Sequence, residues 1–284
     1  MEFIRKKGRE AMEVVERSGV PFLVFPRLRE TGVVVHGFST RLGGVSRGIF
    51  SSMNLSFARG DEEDCVRENF ARLGRAMGFD CQRLVLSDQT HTTNVRVVTE
   101  EDVGKGFVRP RDYTDVDAMV TNAPGLVLAT FYADCVPLFL VDPVHRAIGL
   151  AHSGWKGTVG KIGKRTVEVM EEQYNTRPED LVVAIGPSIC QDCYEVSEDV
   201  IRQFQAAFSP SWWKELFYEK ENGKYQLNLW RANELIFREA GLRPEQIVTT
   251  DLCTCCNHEL LFSHRASLGK RGNLGAFLML REED

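Results

Sequence analysis

Three apolar runs, each stopped by a turn loaded with reactive side chains, constrain this chain more than any other feature. Leu126-Val127-Leu128-Ala129-Thr130-Phe131 leads into Ala133-Asp134-Cys135-Val136-Pro137. Arg146-Ala147-Ile148-Gly149-Leu150 leads into Ala151-His152-Ser153-Gly154-Trp155-Lys156-Gly157-Thr158, and Leu84-Val85-Leu86 leads into Ser87-Asp88-Gln89-Thr90-His91. Runs of this kind read as buried strands. Where such a strand ends, the backbone turns away from the core and side chains meet a cleft. The sequence thus delivers one thiol and two imidazoles to strand ends.

Cys135, His91 and His152 form the ligand set of an open zinc site. Zinc favours nitrogen and sulfur donors, and a catalytic zinc keeps three protein ligands plus a water whose pKa drops to about 7. Asp134, Gln89, Ser153 and Lys156 flank the trio and would be costly to bury without a purpose. Two other readings use the same atoms. Cys135 also fits the nucleophile of a metal-free cysteine hydrolase, with His91 or His152 as its base. In the third, Cys135 is a small buried hydrophobe and the histidines are hydrogen-bonded core residues.

The remaining cysteines offer a rival metal site. Cys190, Cys193, Cys253 and Cys255 supply four thiols of the type that hold structural zinc, although a long stretch separates the pairs; free thiols in a pocket or core are the alternative. Two loops suit anions. Ser39-Thr40-Arg41-Leu42-Gly43-Gly44 sets a guanidinium beside backbone amides, and Ser263 to Asn273 carries Arg265, Lys270 and Arg271 among small residues. The Gly-Gly loop lacks a Walker lysine and serine, which argues against a nucleoside triphosphate site. His36, inside a strand, and His145, in a turn, read as structural.

Eight cysteines with no apolar leader indicate reduced thiols and a cytoplasmic protein. A formal net charge of −5 argues against nucleic-acid coating, and no apolar stretch is long enough to span a membrane. Periodicity predicts helices over 8–18, 62–77, 158–174 and about 230–240. It predicts strands at 32–38, 83–86, 94–98, 117–121, 126–131, 137–141 and 146–151. Two later stretches echo each other: helix, Arg-Pro-Glu at 177–179 and 243–245, short strand, then a cysteine turn. The expected architecture is one α/β (α+β) domain over 1–284, with a mixed sheet, outer helices and a helical extension over 1–20.

At its motifs the chain resembles the laccase-domain or YfiH-like family, first described as multicopper polyphenol oxidases and later as purine nucleoside phosphorylases. The resemblance is carried by His36-Gly37-Phe38-Ser39-Thr40-Arg41, Gly43-Gly44-Val45-Ser46, Met53-Asn54-Leu55, His91, Ala133-Asp134-Cys135 and His152 through Thr158. Gly186-Pro187-Ser188-Ile189, Cys193-Tyr194-Glu195-Val196 and Phe262-Ser263-His264-Arg265 complete it. It implies a mixed β-sandwich flanked by helices, with zinc, or copper, held by His91, Cys135 and His152.

The resemblance further implies phosphorolysis of adenosine, inosine or methylthioadenosine to free base and ribose 1-phosphate, with metal-dependent deamination of adenosine. Arg41, Arg265 and Lys156 are then expected to touch phosphate or ribose, and Asp134 to carry a proton or orient a histidine. The chain departs from the family at Cys190, where many members have Gly, and at Asn273, where many have Arg. The second departure shifts phosphate binding toward Lys270 or Arg271. The partners are small molecules, and both monomer and homodimer stay open. Copper-dependent phenol oxidation is the alternative activity. A true multicopper oxidase needs about ten histidines, commonly in His-x-His pairs, to suit its copper centres. This chain has six and no such pair.

Overall fold

The computed structural model describes residues 2–6 and 11–282. Two six-stranded mixed sheets stack face to face. The first runs in the order Glu13–Arg17, Val20–Val24, Val34–Ser39, Leu274–Leu280, Val127–Tyr132, Leu84–Leu86. The second runs Ile247–Thr249, Val182–Ile185, Val136–Asp142, Ala147–Ser153, Ala118–Thr121, Val95–Val97. A small three-stranded sheet (Glu195–Val196, Tyr225–Leu227, Phe217–Glu219) lies beside them.

Layering explains why the strands are apolar throughout. In Val136–Asp142, Phe139 and Val141 face the other sheet, while Val136, Leu138 and Leu140 face helices. In Val127–Tyr132, Leu128 and Tyr132 point between the sheets, and Val127 and Ala129 point outward. Sheets covered on both faces need apolar residues at every position, not at alternate ones. Ile162–Tyr174 and Leu229–Glu239 cover the second sheet, and Glu63–Met77 covers the first through Val66, Phe70, Leu73 and Met77. That last helix carries Glu63 and Asp64 in its first turn and ends at left-handed Gly78, as its charge and glycine predict.

Two expectations are corrected. Glu13–Arg17 is an edge strand, not part of a helix over 8–18 or a helical extension over 1–20; residues 8–10 of that stretch lie outside the described residues. Glu16 pairs with Pro21 and Arg17 with Val20, so Ser18 and Gly19, both at positive φ, make a two-residue hairpin turn. Gly19 therefore turns a hairpin and does not stop a helix. The expected helix over 158–174 is two helices, Trp155–Val159 and Ile162–Tyr174, broken where Lys161 takes a left-handed conformation. Among the described residues no helix is long and apolar enough to cross a membrane.

The chain passes from the first sheet to the second twice near one end of the sandwich. Val127–Tyr132 crosses to Val136–Asp142 through Ala133-Asp134-Cys135, and Leu84–Leu86 reaches Val95–Val97 through the segment holding His91. His152 lies opposite Pro137 in the adjacent strand, two residues beyond Cys135. Crossing loops and strand register together gather the three side chains.

Candidate metal centre and its cavities

His152 occupies the strand position that points between the sheets, after Ile148 and Leu150, and is buried against Tyr132, with ring centroids 5.5 Å apart. His91 is exposed and sits at a positive φ of 66° in a loop. The two imidazoles meet edge to face at 4.9 Å, and Cys135 Sγ lies 3.8 Å from His91 Nε2. All three donor atoms fall within 4.8 Å of one another. Gly154 permits this closeness: a Cβ there would stand 2.7 Å from His91 Cδ2 and 3.1 Å from Cys135 Sγ.

A carboxylate that sequence reasoning missed organises the trio. Asp117 is fully buried and accepts hydrogen bonds from the backbone N–H groups of Thr90 (3.0 Å), His91 (3.1 Å) and Thr92 (2.9 Å). It also accepts from Thr92 Oγ1 and, at 2.7 Å, from His152 Nδ1. One charge thus shapes the His91 loop and holds the Nδ1 proton of His152, turning Nε2 toward Cys135. This is the usual carboxylate–histidine support behind a metal ligand. The only trace in the sequence is an acid opening an apolar strand, Asp117-Ala118-Met119-Val120.

The electrostatics are those of a thiolate–imidazolium pair, from which a metal would displace the Nε2 proton of His152. Burial opposes the Cys135 thiolate, but the charge of His152 and hydrogen bonds from both histidines overcome it and bring the thiol down to about 6. Burial likewise opposes charge on His152, yet Cys135 and Asp117 raise it to about 9. Two imidazoles and a thiolate at this spacing, with one ligand held by a carboxylate, fit a divalent zinc with an open position.

His91 and Cys135 line two neighbouring cavities, and His152 lines the larger of them. The larger, about 560 Å³, is lined by His91, Cys135, His152, Arg59, Arg111, Arg271 and Asn273, among others. Arg111 is paired with Asp88 at 2.8 Å. Arg271 is half-buried, its Nε is buried without a hydrogen-bond partner, and its Nη1 bonds Asn273 Oδ1. Burial, and then the neighbouring charge of Arg59, bring its guanidinium down to about 10. The smaller cavity, about 280 Å³, is lined by His91, Asp134, Cys135, Trp155, Lys156 and Tyr194. The Lys156 ammonium stands 5.7 Å from the centre of the Trp155 ring.

Several expected site residues are used otherwise. Arg41 lines neither cavity: Nε donates to the Ser51 carbonyl, Nη1 to the His258 carbonyl, and its guanidinium lies 4.7 Å over Phe262. Arg265 donates to the Cys193 and Glu195 carbonyls. Asp134 lines the smaller cavity, and both of its oxygens are bonded to partners other than a histidine. It accepts from Thr254 Oγ1 at 2.6 Å and from the Arg265 backbone N–H at 2.7 Å. Lys270 lies outside both linings, whereas Arg271 and Asn273 line the larger cavity. Arg59 was not singled out from sequence; it ends the short turn Phe57–Arg59 and carries no motif. His36 is structural as expected, accepting the Phe25 N–H at 2.9 Å, and His145 bonds Asp142. The four-thiol group contains Cys256 and not Cys255.

Comparison with known proteins places this geometry. The family model described as multi-copper polyphenol oxidoreductase laccase matches residues 35–281. The purine nucleoside phosphorylase YlmD of Bacillus subtilis (strain 168) is 38% identical over 253 residues, 88% of this chain and 89% of that protein. Adenosine deaminase RL5, from an unknown prokaryotic organism, is 37% identical over 239 residues, 81% of this chain and 88% of that one. The crystal structure of YlmD from Geobacillus stearothermophilus superposes with a TM-score of 0.88 at 34% identity, covering 96% of this chain and 100% of that chain.

Proposed function

The chain belongs to the multi-copper polyphenol oxidoreductase laccase family, and from that membership we propose that it is a purine nucleoside phosphorylase that also deaminates adenosine. One observation carries the reading: a His-Cys-His donor set opens onto the same cavity as two neighbouring guanidinium groups. An oxidase centre would need more imidazoles than this site holds.

In phosphorolysis a phosphate oxygen attacks ribose C1′, the C1′–N9 bond breaks, and the leaving purine takes the bonding electrons and then a proton. The nucleophile must be held in line beside the sugar, which is a problem of positioning and charge. Arg59 and Arg271 are our choice for the phosphate. The unpartnered Nε of Arg271 and the repulsion between the two cations both favour an anion between them. Arg41 and Arg265 then act as positioning residues, the first holding the 41–53 loop and the second bracing Asp134. Lys156 and Trp155 supply a charged and aromatic wall in the smaller cavity.

His91, Cys135 and His152 would hold the metal, zinc in our reading and copper as the alternative. When bound it supplies Lewis acidity and acidifies a water for the deaminase reaction. Asp117 keeps His152 Nε2 free for that role, and Gly154 keeps the three donors together. Eight free thiols support a reducing, cytoplasmic setting.

The same atoms also line up as a thiol, an imidazole and a carboxylate, Cys135–His152–Asp117, which is the order of a cysteine hydrolase. Cys135→Ser separates the two readings. Under the metal reading it loses the ion, all adenosine deamination and nearly all base release from inosine. A covalent adduct on wild-type Cys135, seen by mass spectrometry with metal-free protein fully active, would favour the hydrolase instead.

A further inference from the structure

The two echoing stretches of the sequence lie side by side. Val182–Ile185 and Ile247–Thr249 pair in parallel, Val183 opposite Ile247, and a parallel bridge between Ser188 and Cys253, shifted from that register by one residue, joins the chains again beyond the strands. Each strand therefore leaves the sheet into an equivalent turn, and each turn carries Cys-x-x-Cys. The parallel pairing is what lets two such motifs, distant in sequence, face each other.

The four sulfurs of Cys190, Cys193, Cys253 and Cys256 all fall within 4.8 Å of one another. Cys193 and Cys256 Sγ are 3.5 Å apart. Zinc–thiolate bonds of about 2.3 Å put the sulfurs of a tetrahedral site about 3.8 Å apart, so the cluster has the size of a closed zinc site. Cys253 Sγ accepts two backbone N–H groups, from Cys190 at 3.2 Å and from Cys256 at 3.4 Å. Donors of that kind stabilise a thiolate. Cys190 and Cys253 are buried, and the Lys6 ammonium, bonded to Asp192 at 3.0 Å, lies in the field of Cys190 and Cys256.

We infer that Cys190, Cys193, Cys253 and Cys256 bind a second, structural zinc, distinct from the His91–Cys135–His152 centre. The donor set is all thiolate, which suits zinc and excludes calcium and magnesium, and four protein ligands leave no open position. The ion's role follows from what its two turns hold. Thr254, between two ligands, bonds Asp134 next to Cys135, and the Cys193 carbonyl holds the Arg265 guanidinium. Tyr194, beside ligand Cys193, lines the smaller cavity. Zinc here clamps one wall of the site without touching a substrate, and this inference does not depend on the reaction proposed above.

Native mass spectrometry of the reduced full chain, purified with zinc, tests it. Wild type should carry two zinc ions. Cys190→Ser/Cys253→Ser should carry one, and His91→Ala/Cys135→Ser should also carry one. Cobalt replacing the ion in this last variant should give the strong sulfur-to-metal charge-transfer absorption of a tetrathiolate, and chelation should lower its Tm. If the cysteine variant does not fold, the His91→Ala/Cys135→Ser arm decides alone. Loss of all metal from that variant would overturn the inference. So would Cys190–Cys253 and Cys193–Cys256 disulfides found in the protein as isolated before reduction.

Discussion

Asp117→Asn is the most informative single change. The native carboxylate takes five hydrogen bonds: Thr90 N–H, Thr92 N–H and Thr92 Oγ1 on Oδ2, His91 N–H and His152 Nδ1 on Oδ1. An amide has one acceptor oxygen, and the better orientation keeps it on the three-donor side. Its NH₂ then faces His91 N–H, losing that bond, and meets His152 Nδ1. The imidazole relieves this clash by giving up its Nδ1 proton and keeping the one on Nε2, the wrong tautomer for binding metal. Two charge-assisted bonds of about 1.5–3 kcal/mol each are lost. Stability should fall by about 3–6 kcal/mol, a large share of the roughly 5–15 kcal/mol typical of a domain.

The chain should stay folded at low temperature but bind zinc about 10–100-fold more weakly, the usual cost of removing such a supporting group. Urea unfolding of metal-free protein gives the first quantity, and competition with a chromophoric chelator gives the second. A folded Asp117→Asn protein with wild-type zinc affinity would refute the claim that Asp117 sets the tautomer of His152.

Other outcomes follow from the same structure. Gly154→Ala puts a methyl 2.7 Å from His91 Cδ2, so zinc binding by chelator competition should fall while the circular dichroism spectrum is kept. Arg271→Ala should raise KM for phosphate about tenfold or more, the loss of a charge-assisted contact. Arg41→Ala should instead lower Tm and leave that KM unchanged in a phosphate-dependence assay. His36 is brought down to about 4 by burial and then by Arg29, against about 6.5 when unfolded. Between these values the unfolded chain binds the extra proton, so His36 stabilises fully above pH 6.5. Up to about 3 kcal/mol is lost as pH falls toward 4. His36→Gln should flatten the unfolding free energy over that window.

Strands were legible where burial on both faces writes them as apolar runs, as at Leu84–Leu86, Val127–Tyr132 and Ala147–Ser153. Edge elements were not. Glu13–Arg17 pairs on one side only, and its Val14 and Val15 between charged residues match a helical face as well as a strand. The convergence of His91, Cys135 and His152 was legible because these residues close those apolar runs. Asp117 was not, because its role depends on which loop and which strand the fold brings around it. Arg41 misled for the opposite reason: a Gly-rich loop suits an anion, but here two carbonyls and Phe262 take up its guanidinium. The thiol cluster needed the parallel pairing of Val182–Ile185 with Ile247–Thr249 to bring its two turns together, and it takes in Cys256 rather than Cys255.

The central claim is that the metal trio and Arg59 with Arg271 make one phosphorolytic site. Phosphorus NMR of zinc-loaded protein with inosine and inorganic phosphate tests it most directly. The account predicts a ribose 1-phosphate signal that grows in step with hypoxanthine, is absent without phosphate, and grows about tenfold or more slowly with Arg271→Ala at phosphate below KM. Hypoxanthine released together with free ribose, at a rate indifferent to phosphate, would contradict it.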